Sequence, residues 1–217
     1  MLLLPAIVVS GQSEVASAAE VSGPTLVADL NDFPASSSPY RFIVVGSTWY
    51  FAADDGVHGN ELWKSDGTAN GTVMVADLDP SGDSSPNNLT EFDGELYFTA
   101  DDDGQYGREL YRTDGTTVEL VHDVWPGTRG GLDSRDPFHV FDGHLYFMGE
   151  DGDEDGVDEG GELWRTDGTT TEEFAVLVPG SRDADIDYFA TVDYSAGTPT
   201  MFFRAGDSSV GNGVEMW

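Results

Sequence analysis

Apolar residues along this chain fall in short alternating runs, separated by polar stretches rich in Gly and Asp. Leu89-Thr90-Glu91-Phe92, then Asp93-Gly94, then Glu95-Leu96-Tyr97-Phe98-Thr99-Ala100 predict two strands joined by a tight hairpin. Asp-Gly suits that turn because a type I′ hairpin requires positive φ at both central residues. A polar loop, Asp101 to Arg108, leads to a third strand, Glu109 to Arg112. Asp114-Gly115 signals another turn, and Val118-Glu119-Leu120-Val121 alternates as a fourth strand. The same order surrounds Trp49-Tyr50-Phe51, Leu145-Tyr146-Phe147 and Met201-Phe202-Phe203. No stretch sustains the i, i+3, i+4 apolar spacing of a helix, so the expected class is all-β.

The pattern is also literally repeated. Glu61-Leu62-Trp63-Lys64-Ser65-Asp66-Gly67-Thr68 returns as Glu109-Leu110-Tyr111-Arg112-Thr113-Asp114-Gly115-Thr116. It returns again as Glu162-Leu163-Trp164-Arg165-Thr166-Asp167-Gly168-Thr169, and a shortened copy reads Glu215-Met216-Trp217. Successive copies lie 48, 53 and 53 residues apart, a period of solenoids, propellers and arrays. Four short strands per unit of about 50 residues match a propeller blade. The expected architecture is therefore a β-propeller of four four-stranded blades over residues 25–217. Thr25-Leu26-Val27-Ala28-Asp29-Leu30 matches the fourth strand Val73-Met74-Val75-Ala76-Asp77-Leu78. Ring closure by this N-terminal strand is expected, because it would complete the last unit and hide exposed edges. The alternative is a segment of a longer array.

A Leu-Tyr-Phe strand, an acidic Gly-rich loop, Glu-Leu-Trp and Asp-Gly-Thr together resemble the bacterial and archaeal ELWxxDGT repeat proteins, over roughly residues 25 to 217. The resemblance implies a secreted or surface-associated propeller-type array without an assigned enzymatic activity. The chain departs from the pattern at Tyr111, which replaces Trp, and at Met216, which replaces Leu; no Asp-Gly-Thr follows the last copy.

Charge narrows the partners. The chain has 41 acidic and 9 basic residues, a net charge of −32. Such a field repels nucleic acid and anionic membrane, which need a positive footprint. It fits a solvated surface adapted to high salt, or divalent-cation binding in Asp-rich loops. There is no Cys, so neither disulfides nor thiol chemistry is available. Leu2 to Val9 is apolar but too short to span a bilayer, and it leads to the small-x-small sequence Ala16-Ser17-Ala18. Residues 1–18 are expected to be a signal peptide, although no Lys or Arg precedes the apolar run, and 19–24 a linker. The mature protein would then be secreted or at the cell surface, with no membrane insertion.

One loop carries a chemical signature. Asp151-Gly152-Asp153-Glu154-Asp155-Gly156, then five residues, then Glu162 match the D-x-D-x-D-G-x5-E calcium pattern. Alternate carboxylates converge on a hard cation, Gly permits the turn, the Val157 carbonyl adds a ligand and the distal Glu closes the shell. The expected Ca²⁺ ligands are therefore Asp151, Asp153, Asp155, Val157 and Glu162; a solvated acidic loop is the alternative. Trp63, Trp164 and Trp217 are read first as packing between units and second as a carbohydrate-stacking surface. His58 is read as a polar loop residue, with metal ligation as the alternative. G-x-S-x-G, H-E-x-x-H and P-loop signatures are missing. The expected function is a binding module for a protein or glycan, stabilised by calcium and adapted to salt. The alternatives are a propeller-type carbohydrate-active enzyme and a structural segment of a larger surface protein.

Overall fold

The computed structural model describes residues 25–31, 35–134, 136–150, 161–175, 177, 186–192, 199–206 and 215–217. The expected signal peptide and linker, residues 1–24, lie outside them. All-β character holds: the described strands form four antiparallel sheets, one per repeat. Sheet one comprises β1 (Tyr40–Val45), β2 (Thr48–Asp54), β3 (Asn60–Ser65) and β4 (Val73–Ala76). Sheet two comprises β5 (Asn87–Phe92), β6 (Glu95–Asp101), β7 (Arg108–Thr113) and β8 (Val118–His122). Sheet three comprises β9 (His139–Phe141), β10 (His144–Glu150), β11 (Gly161–Thr166) and β12 (Thr171–Ala175). Sheet four has β13 (Asp187–Val192), β14 (Thr200–Ala205) and β15 (Glu215–Met216). In every sheet the strands follow in chain order.

The turns follow from their residues. Asp93 (φ 52°) and Gly94 (φ 82°) close the β5–β6 hairpin, and Asp142 (φ 46°) and Gly143 (φ 73°) close β9–β10. A less legible device opens the first strands of sheets one, two and four. Their register slips between Tyr40 and Ile43, Asn87 and Thr90, and Asp187 and Ala190. Arg41, Asn88 and Tyr188 adopt positive φ at those slips, which marks β-bulges that bend each strand as it enters its sheet.

Central strands alternate between two buried faces, so the sheets stack. Val45, Tyr50 and Leu62 of sheet one pack against Leu96, Phe98, Ala100 and Tyr111 of sheet two. Phe92, Tyr97 and Leu110 of sheet two pack in turn against Leu145, Phe147 and Trp164 of sheet three. Tyr146 and Leu163 then meet Ala205, Met201 and Phe203 of sheet four. Each fully buried Leu or Phe contributes about 1.5–3 kcal/mol.

Residues 25–30, expected as a strand, form none. They run along the outer face of sheet one, where Leu30 packs against Phe51, Ala53 and Trp63. Among the described residues no strand pairs with them, and strand ladders run only within each sheet. The expected ring is thus not formed by strand pairing in this structure.

Candidate functional site

The repeated Glu is a structural latch. Glu61, Glu109 and Glu162 are 0%, 0% and 3% exposed, and each reaches the connector that leads to the following sheet. Glu61 accepts from the Leu78 N–H at 3.1 Å, the Ser84 N–H at 2.9 Å and the Ser84 hydroxyl at 2.5 Å. Glu109 accepts from the Val124 N–H at 2.9 Å and the Gly131 N–H at 2.5 Å. Glu162 accepts from the Leu177 N–H at 2.7 Å. The connector then bonds forward: the Asp101 N–H donates to Ser84 O and the Glu150 N–H to Gly131 O, both at 2.8 Å. One buried carboxylate therefore joins two sheets through one residue. Burial pushes the Glu109 carboxyl up to about 7, against the pull of its three N–H donors, and neighbouring Asp123 adds to the rise. Glu61 is raised for the same first reason, burial, with Asp77 adding to it.

The basic residue of the motif is a second joint. Lys64 Nζ donates to Gly115 O at 2.6 Å, and Arg112 Nη1 to Gly168 O at 2.9 Å. Each clamps the Asp-Gly-Thr turn of the next unit. The turn itself is tied by its Asp: Asp114 Oδ1 accepts the Thr116 N–H at 2.7 Å and the Thr117 N–H at 2.9 Å. Those bonds, with Thr117 first, hold its carboxyl below the usual range. Trp63 and Trp164 are buried packing residues, as first read, and the Trp63 indole donates to Ala53 O at 3.1 Å. Trp217 is half exposed, and its indole donates to Ala205 O at 3.3 Å.

With the motif occupied in this way, the loops between the second and third strands are what varies in sequence between units. In sheet one this loop meets the following connector, where the Asn60 N–H donates to Asp83 Oδ1 at 2.7 Å. Many of the loop carboxylates organise their own loop. Asp102 Oδ1 accepts from the Gln105 and Tyr106 N–H groups at 2.9 Å and from Gly107 at 3.2 Å. His58 Nδ1 lies 2.7 Å from Asp55 Oδ2, and that bond raises the His58 pKa above its ordinary value. A polar cavity of about 180 Å³ opens among Gly131, Asp133, Asp136, Gly149 and Glu150. Arg129 stands at its rim, stacked 3.8 Å over the Trp125 ring.

Asp151, Asp153, Asp155 and Val157 lie outside the described residues; only Glu162 of the expected calcium set is described, in its latch position. Among the described residues no group of three or more His, Asp or Glu is placed to hold a metal. Sequence reading gave Glu162 as a calcium ligand and missed both the latch and the basic clamp. Its one signal was composition: Lys64, Arg112 and Arg165 share one repeat position in a chain with only 9 basic residues.

No family model and no curated protein matches the chain. Solved structures show distant likeness. A prolyl endopeptidase aligns over 78% of this chain and 24% of its own, at 14% identity and a TM-score of 0.45. An α-L-arabinofuranosidase from Clostridium thermocellum aligns over 81% and 62%, at 15% identity and 0.34. A GH74 xyloglucanase from Xanthomonas campestris aligns over 79% and 26%, at 14% identity and 0.37. The chain thus spans less than two thirds of each of these proteins.

Proposed function

We propose that this chain is a secreted or cell-surface acidic β-propeller acting as a binding module for a protein or glycan. The four sheets are its blades. Residues 25–30 complete the three-stranded fourth sheet by pairing along β15, which closes the ring. Ca²⁺ is held in the long third loop by Asp151, Asp153, Asp155, the Val157 carbonyl and Glu162, and the acidic surface suits high salt.

The observation that carries this reading is the division of labour within the motif. Glu, Leu, Tyr111 and Trp164, Lys or Arg, and Gly all join sheet to sheet, while Trp63 packs on the outer face of sheet one. What differs from unit to unit is the acidic loop end, and a partner meets that surface. The net charge of −32 would repel a nucleic-acid partner. A second reading, a carbohydrate-active enzyme, is favoured by the cavity that Asp133, Asp136 and Glu150 line.

Incubation with a panel of neutral and charged polysaccharides, with and without calcium, tests both readings. Calcium-dependent retention without release of new reducing or unsaturated ends supports the binding module. Release of such ends, lost in Glu150→Gln, replaces it with the enzyme.

A further inference from the structure

The residue just before the motif Glu changes from unit to unit, and the third unit gives it no side chain. It sits across the ladder from the end of the second strand: Asn60 faces Asp54, Arg108 faces Asp101 and Gly161 faces Glu150. In the first unit Asn60 Oδ1 accepts from the Tyr40 hydroxyl at 2.9 Å. In the second, Arg108 lays its guanidinium into the junction between sheets one and two. Its Nη1 donates to Ser85 O at 3.1 Å and to Thr99 Oγ1 at 3.3 Å, and its Nη2 pairs with Asp101. The side chain is only 15% exposed.

In the third unit the groups that would receive such a guanidinium persist, and they line the polar cavity. Leu132 is the counterpart of Ser85, since the Leu132 N–H bonds Arg108 O as the Ser85 N–H bonds Asn60 O. Met148 is the counterpart of Thr99, and Glu150 of Asp101. All three border the cavity of about 180 Å³. Met148 replaces the hydroxyl by a thioether, a weak acceptor, while Asp133 and Asp136 bring two further carboxylates to the walls. Arg129 does not take the place of Arg108. It comes from the connector, lies 67% exposed over Trp125, and reaches Glu150 only at 3.8 Å.

We propose that this cavity binds a guanidinium group from outside the chain, seated as Arg108 is seated in the neighbouring junction. The group belongs to an arginine side chain of a partner or to a small guanidinium compound. This rests on the reading that a partner meets the acidic loop end, and it narrows the chemistry of that partner to a planar cation. A guanidinium suits the walls because its flat fork of donors reaches a carboxylate and a backbone carbonyl together, whereas an ammonium is a compact point charge.

Calorimetric titration tests it with arginine amide, a short Arg-containing peptide, and the same peptide with Lys in place of Arg. Concentrated potassium chloride screens the general attraction of a chain carrying −32. The Arg peptide should bind one to one, about tenfold more tightly than its Lys counterpart. Gly161→Arg should abolish binding, because the chain then supplies its own guanidinium, while Gly161→Ala should keep it. Gly161 lies outside the left-handed region, and the atoms nearest an added Cβ belong to the flexible Met148 side chain, the closest at 3.2 Å. Glu150→Gln should weaken binding about tenfold, and it decides the matter if Gly161→Arg does not fold. An Arg peptide that binds more tightly than arginine amide makes the source a protein, and equal affinities make it a small compound. Equal binding of the Arg and Lys peptides, no binding, or binding that survives both Gly161→Arg and Glu150→Gln overturns the guanidinium site. If polysaccharide retention persists under those outcomes, the site alone falls; if it too is absent, the binding module falls with it.

Discussion

Glu109 holds the connector between sheets two and three, and its chemistry has a measurable sign. Its folded pKa, about 7, lies above the ordinary value of 4.5. The native state therefore takes up a proton that the unfolded chain releases. The group's stabilising contribution is complete below about pH 4.5 and is lost as the pH rises through about 7, by roughly 3 kcal/mol for a shift of this size. Glu61 acts in the same direction. Urea unfolding should give a lower midpoint at pH 8 than at pH 5, and Glu109→Gln should flatten much of that slope. An unchanged slope in the Gln variant would show that the dependence comes from elsewhere. Glu109→Ala should cost about 2–4 kcal/mol at either pH, because it strands buried N–H donors.

The Asp-Gly-Thr turn offers an internal control at the scale of the element. Gly67 and Gly115 share φ +88°, but a Cβ at Gly67 meets nothing within 4 Å, while one at Gly115 collides with Tyr50 Oη. Gly67→Ala should cost only the left-handed backbone, about 1–2 kcal/mol. Gly115→Ala should cost clearly more, and Tyr50→Phe should recover part of the difference; equal melting shifts for the two Ala variants would refute docking of the turn. The third acidic loop carries its own expectation. Millimolar calcium should give a saturable heat and raise stability by about 2.7 kcal/mol at a hundredfold excess over Kd, and Asp153→Ala should abolish both. Strands and hairpins were largely legible in the sequence, because alternation and Asp-Gly are local signals. The strand expected from Leu89 begins at Asn87, since a bulge at Asn88 breaks the alternation that marks its start. The latch and clamp were illegible for another reason. Their partners are backbone groups 15 to 56 residues away, and a backbone N–H or carbonyl is present at every position and leaves no trace in a residue pattern.

For the whole molecule, charge is the dominant long-range term. A net −32 on 217 residues repels itself in the compact state, while counter-ions screen over about 8–10 Å near physiological ionic strength. The melting temperature should rise steadily from millimolar to molar potassium chloride, and sulfate should add its own exclusion effect. Identical melting at the two extremes would refute adaptation to salt. The stacking order was legible at this scale from the period alone. The position of residues 25–30 was not, because their match to Val73–Leu78 marks a strand, whereas the structure packs them unpaired on the outer face of sheet one.

The latch has a further consequence, in time rather than in space. Glu61, Glu109 and Glu162 are satisfied by chain that lies after them, 17 and 23 residues on for Glu61, 15 and 22 for Glu109, and 15 for Glu162. On a ribosome adding roughly 5–20 residues per second, a third strand emerges about one to a few seconds before its carboxylate has any donor to meet. During that interval the ionised Glu resists burial, and the sheet that carries it stays loose. Sheets one to three should therefore lock one connector late during synthesis, in order from the first.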